Sequence, residues 1–236
     1  MDLGTLLGIW AHPDDDIYLS AGLMALNVDV GNRVVDVTAT RGEGGSMDEE
    51  RWPPETMADV RSGELMRSLE ALGVTEHRFL EGPVDIDMDT PLDEAGAAQV
   101  LEIMAEVQPD TVLTFGPDGM TGHVGHMSVS RWATEAFHAV AKPGARLHYA
   151  TMTPAFVEEF RDIFEPLHIF RPGTPPETPP DQLSIDLALQ PDLLQRKWTS
   201  IMQHVSQVQY IFDALGEDTF KRQVSHEWFR LGAVKE

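Results

Sequence analysis

Five short strand-like runs, the first four each followed by a segment of helical period, leave this chain few folds to adopt. Leu6 to Trp10 is an unbroken apolar run bounded by Gly4 and Pro13, the pattern of a strand buried on both faces. From Asp16 the apolar residues Leu19, Leu23, Met24 and Leu26 recur at helical spacing, and Gly31 and Asn32 precede a second β-rich run, Arg33 to Thr40. A helix marked by Val60, Leu65, Leu69 and Leu72 stops at Gly73, and Glu76 to Leu80 gives a third strand. A helix over Asp93 to Val107 leads to a fourth strand at Thr111 to Phe115; a helix over Val124 to Val140 leads to a fifth at Leu147 to Met152. Parallel strands need helical crossovers, so sustained alternation predicts an α/β, Rossmann-like, doubly wound and mostly parallel sheet of order 3-2-1-4-5, with helices on both faces.

The rest of the chain is less regular. Arg171 to Pro180, RPGTPPETPP, cannot be helix or central strand and is expected to be an extended surface loop. Pro191 to Val205 predicts a helix, and Phe220 to Trp228 a last element of undecided type. At 236 residues the chain is short enough for one core, since single cores stop growing near ~250 to 300 residues, so one domain over 1–236 is expected.

Composition narrows the partners. Seventeen basic against thirty-nine acidic residues give a net charge of −22, which repels phosphate backbones and anionic headgroups. Neither nucleic acid nor a membrane surface is an expected partner; a neutral or zwitterionic small molecule is. With no cysteine, any metal must be held by His and carboxylate, and a Cys nucleophile is excluded. The N-terminal segment lacks a signal-peptide pattern and no apolar run approaches ~18 residues, so a soluble cytoplasmic protein is expected.

Two distant clusters carry metal-type residues. Ala11-His12-Pro13-Asp14-Asp15-Asp16 follows the first strand, and Gly122-His123-Val124-Gly125-His126 follows the fourth. The predicted order sets those strands side by side at the reversal, where ligands bind outside the carboxyl ends. Catalytic zinc commonly takes three His or carboxylate ligands and keeps a fourth position open for water. Pro13 biases His12 away from helical geometry, so His12 and Asp15 can face one point; His123 and His126, three apart at a helix start, share a face.

These residues carry a resemblance. The chain resembles the PIG-L/LmbE-like N-deacetylase family, whose hallmarks are A-H-P-D-D after the first strand and H-x-x-H after a later one. The likeness runs on through Val37 to Ser46 (VTATRGEGGS), Arg61 to Leu65 (RSGEL), Leu72-Gly73-Val74 and Pro109-Asp110, with a fainter echo from Lys197 through His204, Ser206 and Gln207. It implies one Zn2+ per chain held by His12, Asp15 and His126. It further implies Asp14 as general base, His123 as oxyanion stabiliser or proton donor to the leaving amine, and Arg61 as a contact to a sugar-like substrate. The implied reaction removes an N-acyl group, acetyl first of all, from an N-acetylglucosamine-linked small molecule. Relatives often assemble, so a homo-oligomer is compatible with the resemblance.

Two departures stand out. The family usually carries Asp directly before the last His, where this chain has Gly125, and some relatives carry Tyr where it has Thr121. The missing Asp would orient an imidazole and fix its tautomer, a task left to another carboxylate such as Asp110 or Asp118. Two other classes stay open on sequence: a catalytically silent amino-sugar binding module that keeps the metal, and a Mg2+-dependent receiver domain with an acidic pair after its first strand.

Overall fold

The structure, a computed structural model, describes residues 2–166, 169–171 and 173–236; Pro172 of the Pro-rich segment lies outside the described residues. Strand β1 (Leu6–Trp10) leads through helix α1 (Asp15–Asp29) to β2 (Val34–Thr38), and α2 (Met57–Leu72) leads to β3 (Glu76–Phe79). The chain then crosses back through α3 (Ala95–Val107) to β4 (Thr111–Phe115), and α4 (Val124–Val140) leads to β5 (Arg146–Ala150). These five strands are parallel and ordered β3-β2-β1-β4-β5, as the alternation of runs predicts. β1, β2 and β4 are buried along their whole length, which is why β1 reads as a continuous apolar run, while β2 also buries Asp36 and Thr38 and β4 buries Thr111 and Thr114.

The C-terminal third adds what the sequence reading did not contain. Helix α5 (Pro154–Phe164) follows β5, with Thr153 capping its first turn by accepting from the Phe156 N–H. Strand β6 (Leu183–Ala188) precedes α6 (Pro191–Ile201) and α7 (Val205–Leu215): the helix expected over Pro191 to Val205 is α6, which ends at Ile201, and α7 is a further helix that the sequence reading did not contain. The undecided segment Phe220 to Trp228 resolves into α8 (Glu217–Gln223) and β7 (His226–Val234). β7 pairs antiparallel with β5 and carries β6 at the edge, closing a seven-stranded sheet of order β3-β2-β1-β4-β5-β7-β6. The Pro-rich loop does not hang free: Glu177 bridges Met152, Thr178 is buried, and the Arg171 N–H donates to Thr121 O.

Helices α1, α2 and α6 pack against one another, and α3 against α4, as right-handed crossovers on either side of a strand reversal require. One apolar cluster containing Trp10, Phe115, Trp132, Phe137 and Phe229 fills the space around the sheet. The reversal falls between β1 and β4, so the loops after these strands meet, joined by those after β2 and β3.

Candidate metal and catalytic site

Each site residue sits where its strand ends. β1 runs directly into Ala11-His12-Pro13, and Asp14 caps α1 with φ 138 and ψ −24, a left-handed backbone in which a non-glycine residue is strained. Asp15 opens α1, where its Oδ2 accepts the His12 backbone N–H at 2.7 Å. His126 lies in the first turn of α4, clamped between the Phe115 ring, stacked at 4.1 Å, and Gly119 O, 2.9 Å from its Nδ1.

Three of the expected residues converge. His12 Nδ1 lies 3.0 Å from His126 Nε2 and 3.5 Å from Asp15 Oδ2, while His126 Nε2 lies 3.4 Å from Asp15 Oδ1. Tetrahedral bonds of ~2.0 to 2.1 Å separate neighbouring ligand atoms by roughly 3.4 Å, so the two histidine nitrogens, each facing a different oxygen of Asp15 at 3.4 to 3.5 Å, stand at the spacing of zinc ligands. The Gly119 carbonyl accepts a proton from His126 Nδ1, which leaves the Nε2 lone pair pointing inward. His12 Nε2 faces Asp85 Oδ1 at 3.4 Å, which turns its Nδ1 lone pair to the same point. Two lone pairs 3.0 Å apart beside a carboxylate repel unless a cation lies between them, so the donor set fits a divalent metal. Burial opposes a charge on His12, yet Asp15 and Asp85 push its pKa up to about 10, and burial of Asp15 is outweighed by His126 and His12, which hold its carboxyl below the usual range, so without a metal a proton on His12 takes the place of the cation. His123 offers a further nitrogen, within 4.8 Å of those of His12 and His126.

Asp85 is the residue that sequence reasoning missed. It follows β3, whose carboxyl end opens on the same crevice, but within Asp85-Ile86-Asp87-Met88-Asp89 an acidic residue reads as a solvated one. Instead Asp85 is 7% exposed, with Oδ1 3.4 Å from His12 Nε2 and 3.9 Å from His123 Nε2. Neither carboxylate expected to fill this role does so. Asp110 is at the opposite end of β4, accepting the Thr5 N–H and pairing with Lys142, and Asp118 pairs with Arg230.

Gly125 has its own consequence for His123. Its backbone N–H donates to His123 Nδ1 at 3.0 Å, making His123 the side-chain cap of α4 and leaving the ring proton on Nε2. A Cβ at position 125 would stand 3.1 Å from that Nδ1, so glycine lets the backbone close on the ring. Burial, with His12 and His126 nearby, lowers the His123 pKa to about 3, so the ring is a neutral Nε2–H donor, which favours the oxyanion-stabilising role over proton donation to the leaving amine.

Asp14 stands beside this cluster. Burial pushes its carboxyl up to about 6 even though Arg61 pulls it down. Arg61, 4% exposed on α2, donates to Asp14 Oδ1 at 3.1 Å, to Pro13 O at 3.0 Å and to Gly42 O at 3.4 Å. Gly42 has φ +67, and a Cβ there would lie 2.2 Å from Arg61 Nη1, so the loop after β2 needs glycine to admit the guanidinium. The sequence names Arg61 and Asp14 separately; the fold makes them an ion pair.

Two chambers flank the cluster. One, of about 450 Å3, is lined by His12, Arg61, Asp85, Asp87, His123 and Ser46. The other, of about 210 Å3, is lined chiefly by apolar side chains, among them Leu19, Phe115, Met120, Met152 and Ile211. Asp14, Thr121, Gln207 and Tyr210 line both. Among the described residues, no helix is long and apolar enough to cross a membrane.

Two histidines and a carboxylate gathered at the switch point of an open α/β sheet form a candidate metal site. Residues 7–137 match the model of PIG-L, GlcNAc-PI de-N-acetylase, and the chain belongs to that family, which leaves no room for a receiver domain. A 1D-myo-inositol 2-acetamido-2-deoxy-alpha-D-glucopyranoside deacetylase of Kineococcus radiotolerans is 33% identical over 168 residues, 60% of this chain and 46% of that one. The chain spans about half the length of the curated relatives it matches. Among solved structures, N,N'-diacetylchitobiose deacetylase from Pyrococcus horikoshii superposes with a TM-score of 0.67 at 22% identity, covering 97% of this chain and 84% of that one. The 4-carboxy-2-hydroxymuconate hydratase GalB from Pseudomonas putida KT2440 superposes at 0.64 with 18% identity, covering 99% and 98%. A hydratase and a deacetylase share this fold, so chemistry must be argued from the site.

Proposed function

We propose that this protein is a zinc-dependent amide hydrolase that removes an N-acyl group from an amino-sugar small molecule of the N-acetylglucosamine-linked kind. The observation that carries the reading is the gathering of His12, Asp15 and His126 donor atoms, 3.0 to 3.5 Å apart, with the strained Asp14 at its side. The printed activities of relatives, deacetylases of GlcNAc-containing compounds, support it.

Zinc, when bound by His12, Asp15 and His126, would polarise the amide carbonyl and activate water near neutral pH. Asp14, with its carboxyl near 6, takes the proton of the attacking water and returns it to the departing nitrogen. Arg61 holds that carboxylate in place by a 3.1 Å bond and forms part of the wall that meets the sugar. His123 presents its Nε2–H to the oxygen that becomes negative, and one such fixed donor is commonly worth ~10² to 10³ in rate. Asp85 and Asp87 offer acceptors to sugar hydroxyls in the larger chamber.

Elemental analysis of the purified protein, with amine release from a panel of N-acetylglucosamine-linked compounds, tests the reading. Stoichiometric zinc with amine release supports it; no transition metal at all would sink it. Zinc with ligand binding but no turnover would favour the silent binding module that Gly125 and Thr121 suggest.

A further inference from the structure

The smaller chamber is far larger than an acetyl group needs. An amide carbonyl carbon carries two arms, the acyl chain and the substituted nitrogen, and they leave it in opposite directions. With the reacting carbon beside Asp14, on the wall that both chambers share, the arms enter different chambers. The larger one, with Arg61, Asp85, Asp87 and Ser46, suits a hydroxylated ring. The smaller one has no charged side chain beyond Asp14 and Asp15 at its mouth among the described residues, and Leu19, Phe115, Met120, Met152 and Ile211 along its walls. A methyl takes little more than the ~30 Å3 that one water occupies in the liquid. An acetyl substrate would thus leave most of a cavity of about 210 Å3 as wetted apolar wall.

The cavity also continues inward. A further space of about 70 Å3 shares Tyr18, Leu19, Met120, Met152 and Gln223 with it. At that junction the Tyr18 hydroxyl and Gln223 Oε1 are buried with no partner among the described residues, so the apolar lining ends there. An extended chain can follow the apolar stretch as far as these polar atoms and gains nothing by passing them.

We propose, resting on the amide-hydrolase reading, that this protein is a deacylase for amino sugars bearing a straight acyl chain longer than acetyl, with an optimum near four to six carbons. Each buried methylene is expected to raise kcat/KM about four-fold, so N-hexanoylglucosamine compounds exceed their N-acetyl counterparts by at least about ten-fold after losses to chain ordering.

The test uses the zinc-loaded full chain and two substrate series: methyl glucosaminides carrying N-acetyl, N-butanoyl, N-hexanoyl and N-octanoyl groups, and N-acetylglucosaminides with methyl to octyl aglycones. A rise in kcat/KM from acetyl to hexanoyl that levels or falls at octanoyl, with little response to aglycone length, supports the proposal. A maximum at acetyl, or a response to the aglycone in place of the acyl chain, overturns it. Met152→Trp, which fills the chamber, is expected to turn the hexanoyl-to-acetyl ratio back toward acetyl; Leu19→Phe serves where that variant does not fold. Calorimetry on Asp14→Asn separates this inference from the hydrolase reading. Tighter binding of the hexanoyl than of the acetyl compound supports the chamber assignment even where no series member is cleaved, whereas equal binding without cleavage overturns both.

Discussion

Helix α1 is gripped by two ion pairs, one wholly buried and one part-buried, that differ in completeness. In the middle of the helix, Lys197 and Glu227 are wholly buried at 2.8 Å. Lys197 also donates to Tyr18 O, and the two Glu227 oxygens accept the Gly22 and Leu23 N–H groups at 2.7 and 2.9 Å. Glycine at position 22 leaves the space, since a Cβ there would stand 2.4 Å from Leu189 Cδ2. At the helix start, Arg61 and Asp14 are paired at 3.1 Å, but Arg61 Nε has no partner and Asp14 sits at φ 138. Through Glu227 and Lys197, β7 and α6 hold α1 fixed, and every charged atom of the pair is engaged within the protein. The second pair keeps unspent capacity and stored strain beside two cavities. Completeness marks an anchor, and incompleteness, on an anchored frame, marks where chemistry is done.

The sharpest way to break this contrast is at Asp14. Asp14→Asn keeps the shape, the cation ligands and the Arg61 contact but removes the base, so amine release is expected to fall ~10² to 10⁴-fold while zinc content by elemental analysis is unchanged. His126→Ala is expected to lose zinc and activity together. Equal zinc loss in both would mean that Asp14, and not Asp15, is the carboxylate ligand.

Next comes the anchor. Lys197→Met leaves the Glu227 carboxylate buried without its cation, and removing one partner of such a pair destabilises by ~3 to 5 kcal/mol. Urea unfolding should register that loss, while the fraction still folded at low temperature keeps its zinc and its turnover. Intact stability with lost turnover would reverse the assignment and make Lys197 part of the chemistry.

The same contrast explains what could be read in advance. The strands alternating with helical segments were readable, and the candidate ligands with Asp14 lay in two short motifs at strand ends, so the five-stranded core and the gathering of those side chains at one crevice were legible. β6 and β7 were not, because a half-exposed edge pair such as Leu183–Ala188 on His226–Val234 mixes polar and apolar positions without a long run. The end of α6 at Ile201 was hidden by apolar spacing that continues past it. The chamber lined by Leu19, Met120, Met152 and Ile211 draws on α1, the loop before α4, the end of β5 and α7, and no local pattern links them. Lys197, Ser206 and Gln207 were visible only as an echo; in the fold Ser206 is held by Glu64, and Gln207 donates to Gly45 O and reaches both chambers.

Asp85 lies between the two kinds of pair, since it faces the metal cluster through His12 without joining it. Partners that orient a metal-bound imidazole are typically worth 10- to 100-fold in metal affinity. Asp85→Asn is expected to weaken zinc binding by about that factor in a chelator competition, while leaving the thermal stability of the metal-free protein nearly unchanged. Unaltered zinc affinity would remove Asp85 from the site.

The smallest expected effect concerns a buried carboxylate whose basic neighbour is neutral. Asp36 on β2 is wholly buried, with the His77 imidazole 3.8 Å from Oδ2, and burial lowers the His77 pKa to about 4, so the ring carries no charge at neutral pH. Burial, reinforced by the Asp15 charge, pushes its pKa from 3.8 to about 8. The folded state therefore holds a proton that the unfolded chain has released, and the stability linked to it is fully present below about pH 4 and is lost as pH rises toward 8. Asn copies the protonated acid, so Asp36→Asn should change Tm little at pH 4.5 and raise it at pH 8.5 by about 2 to 4 °C for each kcal/mol relieved. Calorimetric scans of both proteins at the two pH values decide it. An equal Tm difference at both would mean that Asp36 is ionised in the fold and has found a counter-charge, which would make it a third ion pair beside α1 and end the contrast between the complete and the incomplete one.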